Sequence, residues 1–472
     1  MTNAPVKTRF APSPSGLLHL GNLRTALFNA LLARSADGKL LLRIEDTDVE
    51  RSDDRFVEAL QADLQWLGLA WQEGPGVEAH SGPYRQSQRD AIYQSLFQRL
   101  LGEGHAYHCF CTDEELKRAR ERQRAAGKPP RYAGTCAGIP AKEAQARVDD
   151  GAAATLRFRV PAGRTVVFDD LVRGEQRFAS DDLGDFVIRR ADGSASFLFC
   201  NAVDDSAMQV SHVLRGEDHL TNTPRQCLVL DTIGLPRPRW GHLPMILGED
   251  GAPLSKRNGS RSVQELRESG IVPAALLNYL ARLGHSDADN SLRDLPGLAA
   301  TFRLEQIGRA PARFDHGQLL HWQELALRAL EPAALQQWMA AAAGDLLPQE
   351  QQAAFAELVA PNVHLHADVR RWANACFAAE LDHSEVATTT FREAGSAFFA
   401  AAADAADQDW AALTALVQQA SGARGKSLFL PLRLALTGEP HGPELAPLHA
   451  MMGPERARAR FDQAAGLALA EH

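Results

Sequence analysis

His19, Gly21 and Asn22 sit in the HLGN tetrapeptide that ends APSPSGLLHLGN, residues 11–22. Ser255, Lys256 and Arg257 sit in PLSKRNGS, residues 253–260. The first string follows a short strand-like segment broken at Pro12 and Pro14. It leads into an apolar helical period, so His19 and Gly21 fall where a helix begins. The first N–H groups of a helix have no intrahelical partner and favour an anion. Gly21 removes a side chain there, His19 can donate to a phosphate oxygen, and Asn22 suits the same surface. The second string is a loop bracketed by Gly251, Pro253 and Gly259. Its lysine is a flexible point charge that can follow negative charge onto a departing pyrophosphate. A helix start and a cationic loop together make a two-sided clamp for a nucleoside triphosphate.

A third constellation is Cys109, Cys111 and Cys136, three of six cysteines in the chain. Three clustered and three scattered thiols fit a reduced compartment with one zinc site better than a disulfide framework. Between them, Lys117 to Arg131 carries seven cations against one acid, Glu121. That is either a solvated helical face or a local nucleic-acid surface. A blanket phosphate binder is excluded by the net charge of −9.

The elements that must hold these residues follow from periodicity. KTRFAPS starts as a strand, and residues 20–34 repeat Leu20, Leu23, Leu27 and Leu31 on a helical period. Residues 39–46 read as a buried parallel strand, and 54–69 as an amphipathic helix, giving βαβ with a right-handed crossover. Residues 105–190 change character, with short strand candidates ATLRFRV and RTVVFDD. A sheet pattern returns at SFLFCNAVDD and MQVSHVLRGED, followed by a helix over 222–233. Beyond 260 the chain is helical and, from 320, rich in Ala and Leu. Residues 301–472 hold 13 Lys plus Arg against 20 Asp plus Glu, so any nucleic-acid reading there uses a few arginines. The candidates are Arg370, Arg371, Arg424 and Arg433, with Lys426. No apolar run reaches the ~18 residues that span a bilayer, and the N-terminus has no apolar leader. The fold expected is α/β: a split Rossmann-like parallel sheet, an α+β insertion and an all-α C-terminal region.

These residues resemble the class I aminoacyl-tRNA synthetases, with HLGN as the first family signature and LSKR as the second. TRFAPSPSG, LLLRIEDTD, HVLRGEDHLTNTPRQ, IGRAPARFDH and LFLPLRLALTGEPHGPEL extend the match from residue 8 to about 445. They are similar to the bacterial glutamyl branch. The resemblance implies ATP-driven formation of glutamyl-adenylate, with Mg2+ on the phosphates, then transfer to tRNA(Glu). It implies His19, Gly21 and Lys256 as catalytic, and His19, Gly21, Asn22, Ser255, Lys256 and Arg257 as ATP-binding. Arg9, Ala11, Ser13, Glu45, Phe197, Asn201 and Arg215 match positions lining the amino-acid pocket. Glu45 suits an α-ammonium group, and Arg9 and Arg215 suit carboxylates. Glu45 and Arg43 could equally be an ion pair at i and i+2.

Two positions depart from the family pattern. Phe197 stands where a tyrosine is common, which leaves Asn201 to supply a polar contact. Pro253 stands where a lysine often begins the second signature, which places more weight on Lys256. Zinc is implied at Cys109, Cys111 and Cys136 with Tyr132 as fourth ligand, while His105 and His108 remain alternatives.

The implied domains are 1–100 and 195–250 for the two catalytic halves and 101–194 for an acceptor-end insertion. Residues 251–320 would form the signature loop and a stem-contacting helical domain, and 321–472 an anticodon-binding region. The Ala-rich helical C-terminus favours the glutamyl branch over bacterial glutaminyl relatives, which carry a β-barrel there. A cytoplasmic monomer without membrane contact is implied. Whether tRNA(Gln) is also charged is not written in the residues.

Overall fold

The computed structural model describes residues 5–48, 52–77, 79–254, 261–287 and 289–470. The chain divides into two compact units, one formed by 1–264 with 276–319 and the other by 265–275 with 320–472.

In the first unit, β1 (Lys7–Phe10), α1 (Leu20–Ser35) and β2 (Lys39–Leu42) form the expected βαβ, with Lys7 to Phe10 paired in parallel to Lys39 to Leu42. Helix α1 is buried around most of its circumference, well beyond the leucine stripe. It lies over β1 on one side and takes Phe302 against Phe28, edge to face at 5.3 Å, on another. Helix α2 (Asp54–Trp66) begins at Asp53, whose carboxylate accepts the Arg55 N–H at 2.9 Å. Helix α3 (Asp90–Gly102) leads into the insertion.

There β3 (Ala106–Cys109) is followed by α4 (Asp113–Ala125), α5 (Ala141–Asp149) and β4 (Thr155–Phe158). Next come the antiparallel hairpin of β5 (Thr165–Asp170) and β6 (Gly174–Ala179), then α6 (Ser180–Leu183) and β7 (Phe186–Arg189). ATLRFRV and RTVVFDD are therefore strands as expected. β3, β4 and β7 make an antiparallel sheet in that order.

SFLFCNAVDD is not a strand. It forms helix α7 (Phe197–Ala207), with eight consecutive residues, Phe199 to Ser206, buried. A helix buried on all sides loses its 3.6-residue alternation, and a short apolar run cannot then be told from a strand. Asn201 is consequently one helical turn from Phe197. Its Nδ2 donates to the Phe197 carbonyl at 3.2 Å.

The second parallel pair is β8 (His212–Gly216) with β9 (Arg239–Leu243), linked through α8 (Thr223–Ile233). Side chains join the two pairs. Arg9 Nη1 and Asn29 Nδ2 both donate to the Leu214 carbonyl, at 3.4 and 2.9 Å, and the Ser211 N–H donates to the Lys7 carbonyl at 2.9 Å. The β5–β6 hairpin lies beside β9, with the Leu171 N–H donating to the Trp240 carbonyl at 2.8 Å. Gly241 permits this approach. A Cβ there would sit 2.7 Å from Leu214 Cδ2 and 3.2 Å from Leu171 Cβ.

The second unit is helical, with no strand among its described residues from 320 onward. Its core gathers Phe355, Trp372, Phe391, Phe399, Leu432 and Phe461. Pro332 occupies a first helical turn, where a missing N–H costs nothing. No helix among the described residues is long and apolar enough to cross a membrane.

Candidate active site

A cavity of about 640 Å³ opens at the start of α1, between the ends of β1 and β8. His19, Gly21, Asn22, Arg9, Ala11, Ser13, Glu45, Phe197, Asn201 and Arg215 all line it. These are all the residues singled out for the ATP and amino-acid sites that fall within the described part of the chain. Ser255, Lys256 and Arg257 lie outside the described residues. Both flanks of their segment reach the cavity's rim. The Leu254 N–H donates to the Ile246 carbonyl and the Val263 N–H to the Leu18 carbonyl, each at 2.9 Å. Ser262 bridges His19, and Pro253 lines the cavity itself.

His19 is the N-cap of α1 in extended geometry, and its side chain makes no cap bond. Its Nδ1 is buried without a hydrogen-bond partner. A Cβ built on Gly21 meets no other atom within 4 Å. Its surroundings in the protein therefore do not demand glycine, and what fills the cavity is what a side chain would displace.

The polar floor comes from four elements. The loop after β1 continues pairing with the chain beyond β2: the Arg43 N–H donates to the Phe10 carbonyl and the Glu45 N–H to the Pro12 carbonyl, each at 3.0 Å. This aims Glu45 inward. From α7, Asn201 and Asp205 fall on one face at i and i+4. Arg43 donates to Asp205 at 2.7 Å and to Asn201 Oδ1 at 3.1 Å, and stands 3.5 Å from Glu45. Arg9 Nε is 3.4 Å from Asp205. The Arg43–Glu45 ion pair thus exists, but Asp205 is the closer partner of Arg43.

Burial pushes the Glu45 carboxyl up to about 7, although Arg43 and Arg9 pull the other way. Burial would raise Asp205 too, but Arg43 and Arg9 outweigh it and hold that carboxyl below its ordinary range.

Arg215 is different. Its Nη2 donates to Thr223 Oγ1 and Gln226 Oε1, both at 2.7 Å, and its Nη1 is buried with no partner. No carboxylate stands among its hydrogen-bond partners. Burial, then repulsion from Arg9, lowers it to about 10, so it stays cationic at neutral pH. Burial and Arg215 bring His219 down to about 4, and the neutral ring stacks on Phe197 at 5.3 Å. The floor therefore offers an ammonium acceptor, Glu45, and a guanidinium whose Nη1 has no hydrogen-bond partner. That is the complement of a small acidic zwitterion.

Sequence reasoning missed Asp205 and His219. Reading α7 as a strand hid the i, i+4 relation of Asn201 to Asp205.

The cysteine cluster is assembled as expected. The Sγ atoms of Cys109, Cys111 and Cys136 all lie within 4.8 Å of one another, with 3.7 Å between the last two. The Tyr132 hydroxyl is 3.3 Å from Cys109 Sγ and 3.7 Å from Cys111 Sγ. A tetrahedral zinc with Zn–S near ~2.3 Å places its sulfurs ~3.8 Å apart, so this donor set fits zinc. Neither His105 nor His108 belongs to the group.

The basic segment forms α4, capped by Thr112 and Glu115, with no buried residue. A cavity of about 780 Å³ beside it is lined by Arg118, Arg122, Arg131, Arg157 and Arg225.

Comparison with known proteins agrees with this geometry. Residues 5–321 match the family model described as tRNA synthetases class I (E and Q), catalytic domain, and 324–465 match an anticodon binding domain. The chain is 57% identical to Glutamate--tRNA ligase 2 of Nitrosococcus oceani, covering 98% of both chains. It is 54% identical to that of Alkalilimnicola ehrlichii, covering 99% of both. Glutamate-tRNA synthetase from Elizabethkingia anophelis superposes with a TM-score of 0.84 at 27% identity, over 98% of this chain and all of that one. The likeness thus runs along the whole length, and the chain belongs to the class I tRNA synthetases of the glutamate and glutamine group.

Proposed function

We propose that this protein ligates L-glutamate to tRNA(Glu) through glutamyl-adenylate. In the first step a glutamate α-carboxylate oxygen attacks the ATP α-phosphorus, the bond to the β-phosphate oxygen breaks, and pyrophosphate leaves. In the second step a terminal ribose hydroxyl of the tRNA attacks the activated carbonyl and AMP leaves. No side-chain nucleophile is needed. Catalysis is positioning plus stabilisation of charge that develops on the phosphates. The α1 N-terminus with His19, Gly21 and Asn22 seats ATP, whose phosphates carry Mg2+. Lys256, with Ser255 and Arg257, supplies the cation for the departing pyrophosphate.

Glu45 takes the α-ammonium group, and Arg9 and Arg215 face the carboxylates. Ala11, Ser13, Phe197 and Asn201 shape the walls. Cys109, Cys111, Cys136 and Tyr132 hold one structural Zn2+ that ties the insertion together. The insertion, 101–194, approaches the acceptor end with the basic face of α4. Residues 251–320 contact the stem, and 321–472 read the anticodon. The enzyme works as a cytoplasmic monomer.

The observation that carries this reading is the meeting of the first motif, His19, Gly21 and Asn22, with Arg9, Glu45 and Arg215 in one cavity, where Arg215 Nη1 has no hydrogen-bond partner. Aminoacylation with labelled glutamate on purified tRNA(Glu) and tRNA(Gln), side by side, tests it. Charging of tRNA(Glu) supports the reading, and charging of tRNA(Gln) as well marks a non-discriminating enzyme. Charging of neither refutes it.

A further inference from the structure

Arg215 is held with Nη1 left unpartnered, and the way it is held points beyond the cavity. Its third contact runs from Nε to His242 Nε2 at 3.2 Å. His242 Nδ1 stands 2.5 Å from Asp170 Oδ2. Both side chains are fully buried. An arginine Nε–H can only donate, and an ionised carboxylate can only accept. Burial lowers His242 and keeps the ring neutral, so its one proton sits on Nδ1 and a bare Nε2 faces both Arg215 Nε–H and the Thr223 hydroxyl, 3.0 Å away.

Asp170 is itself fixed. Its Oδ1 accepts the N–H groups of Val172, Arg173 and His242, at 3.0, 2.9 and 3.2 Å. Gln226 is locked as well, because its Nε2 donates to the Leu198 carbonyl at 3.3 Å, which turns Oε1 toward Arg215. Arg215 thus hydrogen-bonds three neutral acceptors through Nε and Nη2, and Nη1 keeps its donors for a ligand.

We propose that Asp170 and His242 are positioning residues for Arg215. Asp170 sets the His242 tautomer, and His242 aims the guanidinium so that Nη1 is left free for a substrate carboxylate. This rests on the reading of the cavity as a glutamate pocket. It brings in a residue of the β5–β6 hairpin, 45 positions away from Arg215 in the chain, that no pocket motif contains.

Asp170→Asn tests it with one atom. Three backbone donors keep the amide oxygen at the Oδ1 position, so the NH2 group falls opposite His242 Nδ1. The ring must then move its proton to Nε2, where it confronts Arg215 Nε–H. Steady-state charging should show a glutamate KM raised roughly 10-fold to 100-fold, as for loss of a hydrogen bond to a charged group. The ATP KM should stay within about twofold and the melting temperature near wild type. An unchanged glutamate KM in the folded variant overturns the proposal, and so does an equal rise in both KM values.

If Asp170→Asn does not fold, His242→Gln and His242→Ala decide. Gln keeps an acceptor opposite Arg215 and Ala keeps none, so Ala must raise the glutamate KM more, and equal values overturn the proposal. Heteronuclear NMR of the His242 ring nitrogens gives a readout independent of the pocket reading. The wild type must show Nδ1–H, and Asp170→Asn must show Nε2–H. Nε2–H in the wild type overturns the relay even in an enzyme that charges glutamate.

Discussion

Glutamate affinity should depend on pH through Glu45. Its carboxyl is pushed up to about 7, against 4.5 for an ordinary glutamate, because burial disfavours the charge more than Arg43 and Arg9 restore it. A substrate ammonium group needs the ionised form. With a midpoint near 7, the ionised fraction falls from ~90% at ~pH 8 to ~10% at ~pH 6, so glutamate binding should weaken about tenfold over that interval. The bound ammonium then pulls the Glu45 carboxyl back down, so binding near pH 7 releases a fraction of a proton.

The same shift has a stability consequence of fixed sign. The folded carboxyl is raised above its unfolded value, so the proton's contribution is complete below ~4.5 and is lost as pH rises through ~7. Integrated over that window it amounts to about 3 kcal/mol, of the ~5–15 kcal/mol that a domain possesses.

Isothermal titration of glutamate in buffers of different ionisation enthalpy gives affinity and proton release together. Glu45→Gln isolates this group from the other titratable side chains of the cavity, His19, Asp218 and His219. That variant should bind weakly at every pH, with the tenfold slope gone. A wild-type affinity that is flat between ~pH 6 and ~pH 8 refutes the assignment of Glu45 to the ammonium group. Retention of the full slope in Glu45→Gln refutes it equally.

Other perturbations separate the remaining roles. Gly21→Ala should leave stability unchanged or raise it by up to ~1 kcal/mol, yet raise the ATP KM, because the added methyl meets only the cavity. An unaltered ATP KM would remove Gly21 from the phosphate seat. Lys256→Ala should slow adenylate formation roughly 100-fold, measured by pyrophosphate exchange, with tRNA binding largely kept. Near-normal turnover would sink that role. The purified protein should hold one zinc per chain by elemental analysis, lost in Cys109→Ser, and less than ~0.2 metal per chain would discard the site.

How much of this was legible in the sequence divides along physical lines. Helix α1 was legible because Leu20, Leu23, Leu27 and Leu31 repeat on the helical period and His19 marks the entry. Strand β2 was legible because it carries a short apolar run, and β1, KTRF, because Pro12 and Pro14 break the chain just after it. Most of the motif residues converge because they lie near the end of such an element, where a parallel sheet opens its crevice, while Phe197 and Asn201 come from α7. Helix α7 failed because it is buried all round, and the error had a cost in the site. Asp205, the closest partner of Arg43, became visible only when Phe197, Asn201 and Asp205 were seen to share one helical face.

The Asp170–His242 pair was out of reach for another reason. The two residues are 72 positions apart, neither belongs to a motif, and a buried Asp or His by itself signals nothing. What makes them informative is that Arg215 Nη1 has no partner while Nε and Nη2 are both engaged. Local pattern locates the groups that line the cavity. The groups that complete their orientation are specified only by tertiary contact: the motif that carries Arg215 also carries Thr223 and Gln226, but not His242, the third acceptor, nor the Asp170 that faces it.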